Sequence, residues 1–337
     1  MGDKSGGGGT ATITGNLNIS GGTVKIGTGG IAMASNTTTA ASAVANVNFT
    51  GGIITVDGSI VRTGATSTGA STANVKVGGT ADLDMKGHAI GDATNAVALT
   101  LEGGTLRNVA QINGGAAVTK TTTGTLTLNG SNTYTGATAV NAGAWYVDGS
   151  HSGGTGYTVA ASATLGGSGS VTVAGGNDIT IATSGKLSVG DSSSAAATLS
   201  LDTTSGGALV FQDSSSLVMD LLTANTGGLN ASDLLNLDGT LTLGSNVSLT
   251  VVNSTSLPTS SWQDGDTWKL FDWSGVTTRT GTFTTVLPDL TGSGLNWNLS
   301  DLYLGGTLSI AAVPEPGRTA LMLLALAGLS LRRRRCA

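Results

Sequence analysis

The chain is poor in the groups that do chemistry. Its single cysteine, Cys336, stands next to the last residue, so the body upstream has no disulfide and no thiolate metal site. That shortage does not fix a compartment. Charged residues make up 10% of the 337 positions, against about 25% in ordinary globular proteins. With so little Lys and Glu there is little helix propensity to draw on. The net charge of −5 is mild, and the only concentrated basic block lies at the C-terminus. No nucleic-acid partner is expected, since such a surface spreads Lys and Arg along a face. His88 and His151 are the only histidines; neither has metal-ligand spacing or a nearby carboxylate cluster, and both are expected in exposed loops. Aromatics are 4% of the chain, and most fall between Trp262 and Tyr303.

What the chain has in abundance is Gly, at 54 residues, with Thr, Ser, Ala, Val and Leu. Thr and Val suit strands, and Gly and Asn suit turns. From Thr10 onward short alternating runs are separated by Gly pairs. Asn46-Val47-Asn48-Phe49 leads through Gly51-Gly52 to Ile53-Ile54-Thr55-Val56, and Asn74-Val75-Lys76-Val77 leads through Gly78-Gly79 to Ala81-Asp82-Leu83-Asp84-Met85. Apolar residues at i and i+2 mark strands with one buried face. Such a unit is too small to bury that face alone, so copies must stack. The expected fold is all-β, a β-solenoid with Gly at its corners. A β-sandwich also accommodates short, regularly spaced strands. Disorder competes for a Gly- and Ser-rich chain, but strand spacing persists throughout; only residues 1–9 are expected to be flexible.

The stretch from Val118 to Ser150 is the most informative. It carries Lys120, then Gly124-Thr125-Leu126-Thr127-Leu128, Gly130, Asn132-Thr133-Tyr134-Thr135-Gly136, Thr138, Val140 and Gly143. Over about thirty residues this resembles the autotransporter-associated β-strand repeat. It departs at Trp145-Tyr146, where the family usually has Leu. The resemblance implies a right-handed parallel β-helix. Leu126, Leu128, Tyr134 and Val140 are expected inside the coil, with Asn132 stabilising a corner. The solenoid is read as 10–207, with coils continuing to about Leu201. Bulkier residues from Ala208 and the aromatics after Trp262 are read as a β capping region, 208–312. An aromatic platform for carbohydrate is the functional alternative for that segment.

Catalytic groups are sparse. Asp82 and Asp84 share one side of a strand and form the best acidic pair, read as a solvated face rather than an acid–base site. Asp264-Gly265-Asp266 reads as a turn before a cation site. No cofactor and no metal is expected.

The last segment, 313–337, differs from everything upstream. It opens with Val313-Pro314-Glu315-Pro316, continues through an apolar run from Thr319 to Leu331, and reaches Arg332, Arg333, Arg334 and Arg335. Thirteen residues of helix give near 20 Å at ~1.5 Å per residue, short of the about 30 Å of a bilayer core. The prolines prevent its extension upstream. It is a marginal membrane helix, with the arginines held in the cytoplasm. An ordinary tail anchor is one reading. Taken together, the three parts resemble the PEP-CTERM protein-sorting signal of Gram-negative bacteria, which implies recognition by an exosortase and cleavage close to Pro-Glu-Pro. Met1 to Gly9 lacks the apolar core of a signal peptide, so an exported reading expects the natural start further upstream. A self-translocating autotransporter is not expected, because no C-terminal run of about ten-residue barrel strands is present.

The combined expectation is a non-enzymatic, exported structural or adhesive protein of the cell surface or biofilm matrix. It meets the inner membrane transiently, an exosortase for processing, and an exopolysaccharide as candidate partner. The alternatives are a carbohydrate-binding adhesin module and, less favoured, a β-helix polysaccharide-degrading enzyme.

Overall fold

A computed structural model describes residues 12–36, 42–63, 70–191 and 195–314. Within them the chain is all-β, built from large sheets of parallel strands in a β-helix-like arrangement. The residues expected to be flexible, 1–9, and most of the 313–337 segment lie outside the described residues.

From Val118 onward three parallel ladders recur in fixed chain order. The first ladder begins with Val118–Lys120, Thr138–Val140 and Tyr157–Val159. The second begins with Thr125–Asn129, Ala144–Val147 and Thr164–Gly167. The third begins with Ser131–Asn132, Ser150–Gly154 and Ser170–Val173. Each strand pairs in parallel with its counterpart one coil later. Register holds down the second ladder: Leu126 faces Trp145, then come Leu165, Leu187, Leu217 and Leu249. All six are buried. Alternate residues such as Thr127 and Ser188 are only partly buried, which is the period-2 pattern of a half-buried strand. Each buried Leu contributes about 1.5–3 kcal/mol relative to exposure, so the column itself is a major source of cohesion.

Upstream, coils have two long legs. Thr12–Ile26 and Ser42–Val56 pair in parallel, with Asn16 opposite Asn46 and Ile26 opposite Val56. The Gly pairs that look like strand breaks in sequence lie inside these two strands, which bend at Gly22 (φ 76°) and Gly52 (φ 88°). A Cβ on Gly52 would come within 2.5 Å of the Gly22 carbonyl oxygen, so the corners stack backbone on backbone. Outside, an amide ladder runs one way: Asn74 Nδ2 donates to Asn46 Oδ1 and Asn46 Nδ2 to Asn16 Oδ1, each at 2.7 Å.

The boundary expected at 207/208 is not a break in the stack. Ala208–Phe211 continues the first ladder and pairs with both Ile179–Ile181 and the far half of Leu234–Leu243. Ser216–Leu221 and Ser248–Asn253 continue the second, which reaches Thr284–Val286. The parallel pairing therefore runs well past Leu201. What changes after Val189 is the connection between the second and third ladders, which lengthens at 190–197, 222–233 and 254–270. These insertions share one corner, and the ladders stay in register beneath them. A separate four-stranded sheet sits beyond, in the order Leu229–Asn230, Thr267–Lys269, Thr307–Ala312, Leu295–Asn298; it contains the antiparallel ladders of the described residues.

The corner between second and third ladders has no spare volume in the early coils. A Cβ on Gly149 would lie 2.2 Å from the Gly130 carbonyl oxygen, whereas one on Gly21 meets nothing within 4 Å. Gly149→Ala should therefore cost about 2 kcal/mol or more, and Gly21→Ala should stay within about 0.5 kcal/mol. Denaturant melts of the two variants against the parent check both; equal losses would contradict the stacking geometry.

Candidate functional site

The stretch 118–150 forms one coil and most of the next. Leu126, Leu128, Tyr134 and Val140 are fully buried. Asn132 is buried at a corner and ties three segments together. Its Oδ1 accepts from the Val109 N–H at 3.0 Å, and its Nδ2 donates to the Asn129 and Ser150 carbonyls at 2.9 and 3.2 Å. Gly124, Gly136 and Gly143 each pack against backbone carbonyls of the preceding coil, where a side chain would collide. Lys120 is buried without a carboxylate among its hydrogen-bond partners. Its Nζ donates to the Thr122 carbonyl (2.5 Å), the Thr122 hydroxyl (3.2 Å) and the Ala142 carbonyl (3.4 Å), and burial lowers its pKa. The lysine acts as a clamp across two consecutive corners. Trp145, the departure from the usual Leu, points inward, and its Nε1 has no acceptor among the described residues.

Neither histidine occupies the exposed loop expected of it. His88 is half-buried within the strand Asp82–Ile90. His151 is 1% exposed and stacks on Tyr134, with ring centroids 4.0 Å apart. Its Nε2 is 2.9 Å from the Tyr134 carbonyl, which can only accept, so Nε2 carries the proton. Nδ1 then accepts from the Tyr157 hydroxyl at 2.6 Å. The Tyr134 hydroxyl meets Thr138 Oγ1 at 3.1 Å, and burial pushes its pKa up to about 12. Burial also lowers the pKa of His151. The physical reason for the miss is register: Asn132, His151 and Val171 form one inward column of the third ladder. Counting one coil forward from Asn132 would have found it.

The acidic groups are largely spent on the chain itself. Asp82 receives both ends of the Arg107 fork at 2.6 Å, and Asp84 pairs with Lys86 at 3.0 Å and accepts from Asn108. Asp266 Oδ1 accepts from the Asn225 N–H and from Asn230 Nδ2, and its Oδ2 from the Gln263 N–H. Asp264 accepts from the Ala312 N–H at 2.9 Å. Asp264-Gly265-Asp266 is thus a satisfied turn. Asp191 and Asp233 lie in the insertions, and Asp220 lies at the end of the strand Ser216–Leu221 that leads into one. Asp233 is buried, accepts from the Ala197 and Asp220 N–H groups, and is raised to about 6 chiefly by desolvation. Among the described residues no group of three or more His, Cys, Asp or Glu is arranged to hold a metal ion.

The aromatics expected near the C-terminus pack on one another. Trp262, Trp268 and Trp297 have ring centroids 5.3–5.9 Å apart. Trp268 Nε1 donates to the Thr223 carbonyl and Trp297 Nε1 to that of Pro288. Trp273 stacks on Phe271 at 4.4 Å and donates to the Leu302 carbonyl. No solvent-facing row of indoles results.

Of the C-terminal signal, Val313 and Pro314 are described and exposed, and the Val313 N–H donates to the Gly294 carbonyl at 2.9 Å. Glu315, Pro316, Arg332, Arg333, Arg334 and Arg335, with the apolar run between them, lie outside the described residues. Among the described residues no helix is long and apolar enough to cross a membrane. No protein-family model matches the chain, and no curated protein matches it.

Two buried groups give opposite pH responses. His151 titrates lower in the folded chain than its ordinary 6.5. The stability from its neutral form is complete above that value and is lost as pH falls below it. Asp233 titrates higher in the folded chain, near 6 rather than 3.8. The stability from its protonated form is complete below 3.8 and is lost as pH rises through about 6. Melting temperatures from pH 4 to 8 should therefore steepen upward with pH in Asp233→Asn and flatten in His151→Phe. Unchanged slopes in both variants would contradict the assignment.

Proposed function

We propose that the chain is the body of an exported, non-enzymatic surface protein. In this reading it is a right-handed parallel β-helix closed at its C-terminal end by the Trp-lined sheet, which acts as a cap. Its work is structural or adhesive, within an extracellular or surface polysaccharide layer, and 313–337 is a removable sorting signal of the PEP-CTERM kind. An exosortase would cut near Val313-Pro314-Glu315-Pro316, after the apolar run and the arginines had held the chain transiently in the inner membrane.

The observation that carries this reading is how the side chains able to do chemistry are used. Lys120, His151, Asp82, Asp233 and Asp266 are engaged with neighbours in the stack. The indoles are packed with one another or against backbone carbonyls. What faces solvent along the ladders is chiefly Thr, Ser and Asn. A protein so arranged supplies shape and hydroxyl- and amide-rich surface rather than a reaction centre. The sorting half rests on a second feature. The last described strand ends at Ala312, and Val313, 43% exposed, follows it at the start of the proline element. A protease needs that kind of extended, accessible backbone.

Expression behind a supplied signal peptide, in hosts with and without an exosortase, tests the sorting half. Intact mass should show loss of the C-terminal segment only where the exosortase is present. A tail that stays attached in both hosts rejects it.

A further inference from the structure

The first ladder contains an interior column that ends unlike it begins. Val118, Thr138, Tyr157, Ile179, Leu209 and Leu241 follow one another in register, and all are buried. The next rung is Arg279, opposite Leu241 in the strand Val276–Thr280. A guanidinium therefore stands at the inward position of the final coil. No described strand pairs with the far side of Val276–Thr280.

Aromatic faces hold this group in place. Its central carbon lies 5.2 Å from the ring centroid of Trp273 and 5.0 Å from that of Tyr303. Trp273 is fixed from behind by Phe271, and the Tyr303 hydroxyl accepts from the Phe283 N–H. Cation–π contact of this sort is worth about 0.5–2 kcal/mol and uses the flat of the group. The N–H fork remains. The other described arginines have spent theirs: Arg107 on Asp82, and Arg62 on the carbonyls of Ala96, Ser71 and Thr94. Among the described residues Arg279 has neither a side-chain hydrogen bond nor an ion pair, and it is only half-buried. A fixed planar fork with no paired anion among the described residues matches a carboxylate, which it can meet with two parallel hydrogen bonds. Thr278 and Thr280 alternate with Arg279 and face the outer side of the same strand, and Thr282 and Thr284, further along the final coil, are also exposed. A chain-like ligand that crosses this unpaired strand edge would meet both the guanidinium and those hydroxyls. The rings themselves are not a stacking platform, since Trp273 carries Phe271 on one face and Arg279 on the other.

We infer that the C-terminal end of the stack binds a carboxylate-bearing polysaccharide, a uronate polymer, with Arg279 as its contact. This rests on the surface-protein reading and names the class of polymer. The net charge of −5 opposes a polyanion at long range, so attachment depends on this guanidinium at close range.

The test is affinity electrophoresis of the full chain through gels containing polygalacturonate, with neutral dextran gels alongside. The parent should be retarded by polygalacturonate and not by dextran. Arg279→Gln should weaken retardation at least about tenfold, the scale of one lost charge-assisted bidentate contact. Lys186→Gln, which removes an exposed cation elsewhere on the stack, should leave it unchanged. Equal retardation by dextran, an unaffected Arg279→Gln, or an equal loss in Lys186→Gln each overturns the inference. So does inorganic sulfate binding as tightly as the polymer, which would mark a simple anion site. Should Arg279→Gln lose its near-UV signal, Arg279→Lys keeps a cation over the rings without the fork. It should still bind several-fold more weakly, and parent-like binding overturns the inference. Polymer binding is read without export or cleavage, so a failure here and a failure of the sorting reading are told apart.

Discussion

Everything in this molecule depends on the close spacing of parallel strands, about 4.8 Å between neighbours. At that separation a side chain in one coil is touched mainly by its register partners above and below. Interior columns must therefore be compatible rung by rung, as in the Leu and Trp column from Leu126 to Leu249. At the tightest corners the carbonyl of one coil occupies the place of a Cβ in the next, which is why glycine recurs at Gly149 and Gly169. The same spacing makes polar clamps effective. Asn132 and Lys120 reach backbone groups in neighbouring coils because those groups are one rung away.

This constraint also explains where variety is tolerated. A residue added within a ladder would turn every later side chain to the other face. A residue added between ladders costs only loop closure, which grows slowly with length. Thus 190–197, 222–233 and 254–270 could lengthen at a single corner while Ser216 still faces Ser248 and Ser248 still faces Thr284. The buried Asp233 and Asp266 and the indoles of Trp262 and Trp268 lie in those insertions.

Strand alternation, and the interior role of Leu126, Leu128, Tyr134 and Val140, were legible in the sequence because period-2 burial is a local property. His151 was not, because its neighbours Ser150, Ser152 and Gly153 look like a loop. Its inward direction is set by Asn132 one coil earlier and Val171 one coil later. The pairing that continues across 207/208 was hidden for the converse reason. Bulkier residues and longer spacing suggested a new unit, yet pairing across Ala208–Phe211 depends on register, which spacing alone conceals. Arg279 was invisible as a distinct group until the column it ends could be counted.

The strand Thr307–Ala312 lies between two others, Thr267–Lys269 and Leu295–Asn298, and is antiparallel to both. A pull on the chain beyond Ala312, directed along that strand, loads both hydrogen-bonded ladders at once and in shear. The coils behind it each hold mainly to their nearest neighbours, and by themselves would peel singly. The exit strand thus gives the C-terminal end of the described body a mechanical grip that the repeating coils lack.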